Sequence, residues 1–277
     1  MDTQRTSSVQ LVNGFPSVAP PIQMARLDEP APDVQCNELR WWFIAPEAGQ
    51  SRRWATYNAL GHELIDIYDL EVLGRTRVHE EECFEIRHRY WGREGKIERE
   101  GFAYGDLRDG VTQWFGWWNL SDERRVYTYL DTDFEDDWGP PAPTRLVDGG
   151  RFRWLDEQRL VDAGPRPSST TDPVDETGAG LWQLSVGGTQ LRCVRAIEVL
   201  RYASGEPRGL CDGFVTLEGK GVLMRRYEAP DMTRVDWNGK KAREVLKDSP
   251  HLSYNGVEYR LWYDSLTEDV LAPPAEG

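Results

Sequence analysis

The sequence lacks the short signatures that mark the common catalytic folds. There is no Gly-x-Ser-x-Gly elbow, no Gly-x-x-x-x-Gly-Lys-Ser/Thr loop, no His-Glu-x-x-His and no Gly-x-Gly-x-x-Gly. Histidine is scarce: His62, His79, His88 and His251 are scattered, and the spacing of His79 and His88, nine residues apart, is a weak hint of metal at best. The four cysteines, Cys36, Cys83, Cys193 and Cys211, form no Cys-x-x-Cys pair, so a zinc site is not signalled. A chain of 277 residues needs no disulfide framework, and Cys83 and Cys193 sit among apolar neighbours, where a thiol acts as a small buried hydrophobe. No metal and no cofactor are expected.

Long apolar runs are missing too. Nothing approaches the roughly 18 residues of a membrane span, and Met1 to Ser8 lacks the apolar segment of a secretory signal, so a soluble, cytosolic protein is expected. Positive charge is in deficit, with 33 Lys and Arg against 47 Asp and Glu and a net charge of −14. A field of that sign repels phosphate, which argues against nucleic acid and anionic membrane surfaces as partners. Hydrophobic residues make up only 39%, but twelve Trp, eleven Tyr and eight Phe compensate. Each buried aromatic removes roughly 150–250 Å² from water, enough for a sizeable core.

What is present is strand. Gly209 to Tyr227 reads as a hairpin, and a looser copy lies upstream at Arg99 to Trp118. Cys83, Glu85, Arg87 and Arg89 alternate with Phe84, Ile86, His88 and Tyr90, the pattern of one wet and one dry face. Gly187-Gly188 and Asn255-Gly256 suit tight hairpin turns, Asp109-Gly110 suits another, and a turn is expected near Gly74. Leu39 to Ala45 reads as a short buried strand ended by Pro46, Ser51 to Leu64 as irregular, and Asp236 to Lys247 as a short helix. The expected fold is all-β: a strongly curved antiparallel sheet, barrel-like or half-barrel, with at most one short helix. Residues 1–34 read as a Pro-rich N-terminal arm, 35–264 as a single β domain and 265–277 as a C-terminal tail. Within the domain, 64–130 and 180–235 align as two possible duplicated meanders, joined by a linker at 156–180.

Candidate chemistry rests on few residues. Alternation places Arg225 with Leu223 and Tyr227, and Arg226 with Val222 and Met224. If both faces are apolar, one arginine is half-buried and needs a carboxylate, either Glu218 or Glu228 within the chain or a ligand anion. Trp114, Trp117 and Trp118 put aromatic bulk on one segment, suited to core filling or to lining a pocket. The ligand-binding candidates are therefore Arg225, Arg226, Tyr227, Trp114, Trp117, Trp118 and His88. Asp131 to Asp137 carries oxygens at alternate positions, as calcium favours, but without the glycine and distal Glu of the helical calcium loop.

In strand count and aromatic content the chain resembles lipocalin-type barrels and half-barrel lipid carriers. The lipocalin Gly-x-Trp near a first strand is not reproduced, and no family is assigned. The reading preferred is non-catalytic binding of a small, partly apolar or carboxylate ligand in an aromatic-lined pocket. One alternative is an isomerase, cyclase or hydrolase using His62, His88 or Glu85 in the same pocket. Another is a structural or protein-interaction module. A homo-oligomer is compatible with each.

Overall fold

The computed structural model describes residues 11–36, 38–78, 80–108, 111–119, 127–129, 148–149, 151–160, 169–201, 205–229 and 246–271. After a small pair of two-residue strands, β1 (Leu11–Val12) and β2 (Phe15–Pro16), comes one fourteen-stranded sheet. Its members are β3 (Ile22–Arg26), β4 (Ser51–Asn58), β5 (Leu64–Val78), β6 (Glu81–Gly92), β7 (Ile97–Arg108), β8 (Val111–Asn119), β9 (Tyr127–Tyr129) and β10 (Arg151–Leu160), followed by β11 (Ser169–Val186), β12 (Thr189–Arg201), β13 (Pro207–Thr216), β14 (Gly221–Glu228), β15 (His251–Tyr254) and β16 (Val257–Thr267). Across the sheet the order is β10, β9, β8, β7, β6, β5, β4, β16, β14, β13, β12, β11, β3, with β15 beside β16. Every pairing between these strands is antiparallel, and an isolated bridge from Asp148 to Gly178 is parallel.

This is the curved all-β fold expected, strongly extended rather than an evenly closed cylinder. β10 pairs with β11 as well as with β9, but β9 meets β8 through the single pair Trp117↔Tyr127. Two four-stranded meanders, β5 to β8 and β11 to β14, flank the central pair β4 and β16 and run in the same direction across the sheet. Cys83 and Cys193 occupy their second strands and are both fully buried.

Local chemistry explains the turns. Gly187 and Gly188 have φ of 55° and 99°, and Asn255 and Gly256 have φ of 50° and 78°. Each pair is the two-residue loop of a hairpin, with Val186 opposite Thr189 and Tyr254 opposite Val257. Positive φ at both central positions is what a type I′ turn requires. Gly74 differs from expectation: the chain does not turn there but runs on to Val78, with Gly74 at a bulge.

Three other segments depart from the sequence reading. Glu38–Trp42 is a short helix, α1, rather than a strand. Arg40 donates to the Gln35 and Glu218 carbonyls, and the turn sends Trp41 and Trp42 to different neighbours. With α2 (Glu268–Leu271) and a 3₁₀ turn at Leu246–Asp248, the described residues hold one helix more than expected. Ser51–Asn58 is a regular strand, and its alternation is hidden because Trp54, Ala55, Thr56 and Tyr57 are all buried. Strands β10 and β11 occupy much of residues 151–186, and Pro173 is tolerated because its place in β11 precedes the pairing with β12. Residues 236–245 of the expected helix, the 131–137 acidic loop, Asp109-Gly110, His79, Pro165 and Pro167 lie outside the described residues.

Both faces of the central sheet are covered, and the same stretch of chain covers them. On the first face Ala55, Tyr57, Ile67, Phe214, Leu223 and Leu266 pack with Phe15 and Val270, and with partly buried Ile22 and Met24. On the second face one cluster joins Val34 and Cys36 to Leu181, Val194, Ala196 and Val215, and another joins Phe43 to Leu70, Val72 and Ile86. Trp41 is the wedge of that second layer. Its ring stacks on Trp54 at 5.7 Å and lies over Gly213 and Gly221. A Cβ at Gly213 would fall 2.7 Å from the Trp41 ring, and one at Gly221 closer still. Gly221→Ala is therefore expected to destabilise by about 1–3 kcal/mol through overpacking, read as a lower denaturation midpoint at unchanged slope.

Candidate functional site

Strand β14 carries Arg225, Arg226 and Tyr227, and the strand sorts them to opposite faces. The parity expected from the sequence holds for Leu223, Met224, Arg225, Arg226 and Tyr227, which pair one for one with β13. It fails for Val222, because a register shift between Phe214 and Val215 leaves Val222 unpaired, and it packs in the same cluster as Leu223.

On the first face Asp212, Arg225 and Asp264 stand opposite one another on β13, β14 and β16. Arg225 Nε donates to Asp264 Oδ1 at 2.8 Å, and Arg195 from β12 grips Asp212 through Nε at 2.6 Å and Nη2 at 2.8 Å. Burial pushes the Asp212 carboxyl up, against the downward pull of Arg195 and Arg225. Tyr227 completes the group, its ring centre 5.8 Å from the Arg225 guanidinium and its phenol pushed up to about 12 by burial. Two arginines and two carboxylates balance in this row, each group held by another within the fold.

On the second face Arg226 Nε donates to Glu228 Oε1 at 3.1 Å, and Nη1 lies 3.1 Å from Cys211 Sγ. Burial raises the Cys211 thiol to about 11, partly offset by Arg226. A thiol held so high is not a nucleophile at neutral pH. Both arginines singled out by the sequence thus have carboxylate partners inside the chain.

His88 lies elsewhere on the second face, in β6. From β14 to β6 the sheet passes β16, β4 and β5, and the register puts Arg226 in the row of Asn58 but His88 in the row of Arg52, so the two are far apart both across the sheet and along the strands. The structure does not bring them together. What surrounds His88 is aromatic: the Tyr68 and Tyr90 rings are each 6.2 Å from it, edge-on, and 4.6 Å from each other. Trp42 meets Tyr68 at 6.3 Å, and the Arg99 guanidinium lies 3.9 Å from the centre of the Tyr90 ring. One row beyond Tyr68 and Tyr90, on the side away from His88, Asp66 is hydrogen-bonded by Thr56 and raised by burial. Both ring nitrogens of His88 are buried, with no hydrogen-bond partner among the described residues. Burial, and then the nearby positive charge of Arg99, lower the His88 imidazole to about 4, so it is neutral at pH 7.

The tryptophan candidates can be placed by register alone. Trp117 stands opposite Ala103, Trp118 opposite Phe102 and Trp114 opposite Gly105; their side chains lie outside the described residues. The residues that sequence reasoning missed are Tyr68, Arg99 and Asp66. Tyr90 shares the alternation that exposed His88, but Tyr68 and Arg99 reach it only through cross-strand register, Tyr68↔Tyr90 and Tyr90↔Arg99.

His88 and Glu85, offered as alternative acid or base of one pocket, lie on opposite faces by alternation, and Glu85 accepts a hydrogen bond from Tyr104. His62 is exposed, in a turn with φ of 53°. None of the four cysteines is in a disulfide, and no cluster of three or more His, Cys, Asp or Glu among the described residues could hold a metal. Among the same residues no helix is long and apolar enough to cross a membrane.

No protein-family model, a lipocalin one included, and no curated protein matches the chain. Among solved structures, the chain is similar to an inferred exported protein with a YmcC-like fold from Bacteroides fragilis, at 11% identity and a TM-score of 0.42, over 82% of this chain and 97% of that one. It is also similar to an inferred lipoprotein from Parabacteroides distasonis, at 10% identity and a TM-score of 0.38, over 82% and 97%. Likenesses this low carry no property across, but those descriptions run against the expectation of a cytosolic protein, and that expectation is withdrawn.

Proposed function

We propose that the chain is a non-catalytic binding protein that takes a small, partly apolar ligand at the His88 patch. One observation carries the reading: a neutral imidazole buried among tyrosine rings with neither nitrogen hydrogen-bonded. An unsatisfied buried polar group costs about 1–3 kcal/mol, and a ligand group that donates to one nitrogen or accepts from the other removes that cost. The half-buried faces of Tyr68 and Tyr90 supply apolar contact beside it.

Intrinsic fluorescence titrated against a panel of small aromatic and alicyclic metabolites tests this. Saturable quenching without turnover is expected. His88→Phe keeps the ring and removes both nitrogens, and is expected to weaken binding about tenfold, as loss of one buried hydrogen bond implies. Unchanged affinity in that variant would remove His88 from the site, and turnover of a bound metabolite would make the protein an enzyme instead.

A further inference from the structure

The chemical class of the ligand can be narrowed, on the premise that the His88 patch is the binding site. Arg225 and Arg226, which the sequence offers as anchors for an anion, are held by Asp264 and Glu228. Arg99 is not held in this way. It is exposed, at one end of the patch, and among the described residues no carboxylate oxygen lies within 4.0 Å of its guanidinium. Its contact is with the face of the Tyr90 ring at 3.9 Å. A guanidinium over a ring face makes no hydrogen bond to it, so its N–H groups remain available, and their fork fits the two oxygens of a carboxylate.

We infer that the ligand is a small aromatic monocarboxylate, its carboxylate held by Arg99 and its far polar group facing His88. Arg99 and His88 flank one tyrosine, at 3.9 Å and 6.2 Å from its ring centre, so a single-ring acid lying along Tyr90 reaches both ends. Charge supports the order of the ends. The carboxylate belongs at the exposed cation, where desolvation is least costly, and a neutral hydroxyl or amide belongs at the buried, uncharged imidazole.

The test pairs para-hydroxyphenylpropanoate with its carboxamide on the full chain, following affinity by calorimetry and the His88 ring by NMR. The acid is expected to bind the parent about tenfold more tightly than the amide, and Arg99→Gln to erase that preference while leaving the amide unchanged. Arg99→Lys, which keeps the charge but loses the planar fork, is expected to restore part of it. Equal binding of acid and amide with a shifted His88 resonance overturns the carboxylate assignment and leaves the binding site standing. A preference that survives Arg99→Gln overturns the role of Arg99. If neither compound moves the His88 resonance, the binding site and the inference fall together.

Discussion

Replacing Asp212 with alanine is expected to cost about 3–5 kcal/mol of folding stability, the usual penalty for removing one partner of a buried ion pair. Asp212 is 2% exposed and receives two hydrogen bonds from Arg195. It also stands opposite Arg225, which pairs with Asp264 on its other side. Without Asp212 the row keeps two guanidinium groups and one carboxylate, so a positive charge is left largely shielded from water, with the Arg195 and Arg225 side chains each only 15% exposed. Arg195 retains the face of Trp182, 4.9 Å away, which compensates only in part. Urea unfolding of Asp212→Ala should show a lower midpoint at an unchanged slope. Arg195→Ala in the same background should recover part of the loss, because it removes the charge left over. A loss below about 1 kcal/mol, the range of exposed pairs, would mean that the row is solvated in solution.

That row also marks the limit of what can be read from the chain alone. The separation of Arg225 and Arg226 to opposite faces follows from strand periodicity and was legible. Asp264 and Asp212 were not, because they come from other strands and meet Arg225 only once registers are set. Val222 was misplaced by the same rule that placed the arginines, since one extra residue in a bulge resets the alternation. Turns with a strict backbone requirement, Gly187-Gly188 and Asn255-Gly256, were legible because few other residues accept positive φ twice in succession.

Covered segments were the hardest to read. Ser51–Asn58 carries buried side chains on both faces, so the alternation that identifies an amphipathic strand is absent. Leu39 to Ala45 is as apolar as a buried strand, and at such lengths an apolar run does not distinguish strand from helix. What settles it is outside the segment: the hollow left by Gly213 and Gly221 accepts the Trp41 ring, and Tyr68 accepts Trp42. The His88 patch shows the same division. Its dry face was evident from the alternation of Phe84, Ile86, His88 and Tyr90, whereas Tyr68 and Arg99 enter through pairing with residues on either side.

Acid should expose the cost of keeping His88 neutral. In the unfolded chain this histidine takes up a proton as the pH falls through about 6.5, whereas in the folded protein burial and Arg99 delay uptake to about 4. Between those values the unfolded state binds more protons, so stability falls as pH falls, by at most about 1.4 kcal/mol per unit. The full contribution is present above pH 6.5 and is lost by pH 4, a difference on the order of 3 kcal/mol. His88→Phe removes the titrating group while keeping a ring for Tyr68 and Tyr90 to pack against. Its stability relative to the parent should therefore rise steadily from pH 7 to pH 4.5, measured by urea unfolding at each pH. Acid loss from other carboxylates cancels in that comparison, because both proteins carry them. A difference that stays flat across the range would mean that the folded protein accepts the proton as readily as the unfolded chain, and that the His88 nitrogens are not shielded as the structure places them. A rising difference, by contrast, ties the buried and unpartnered imidazole directly to a measurable slope, before any ligand has been found.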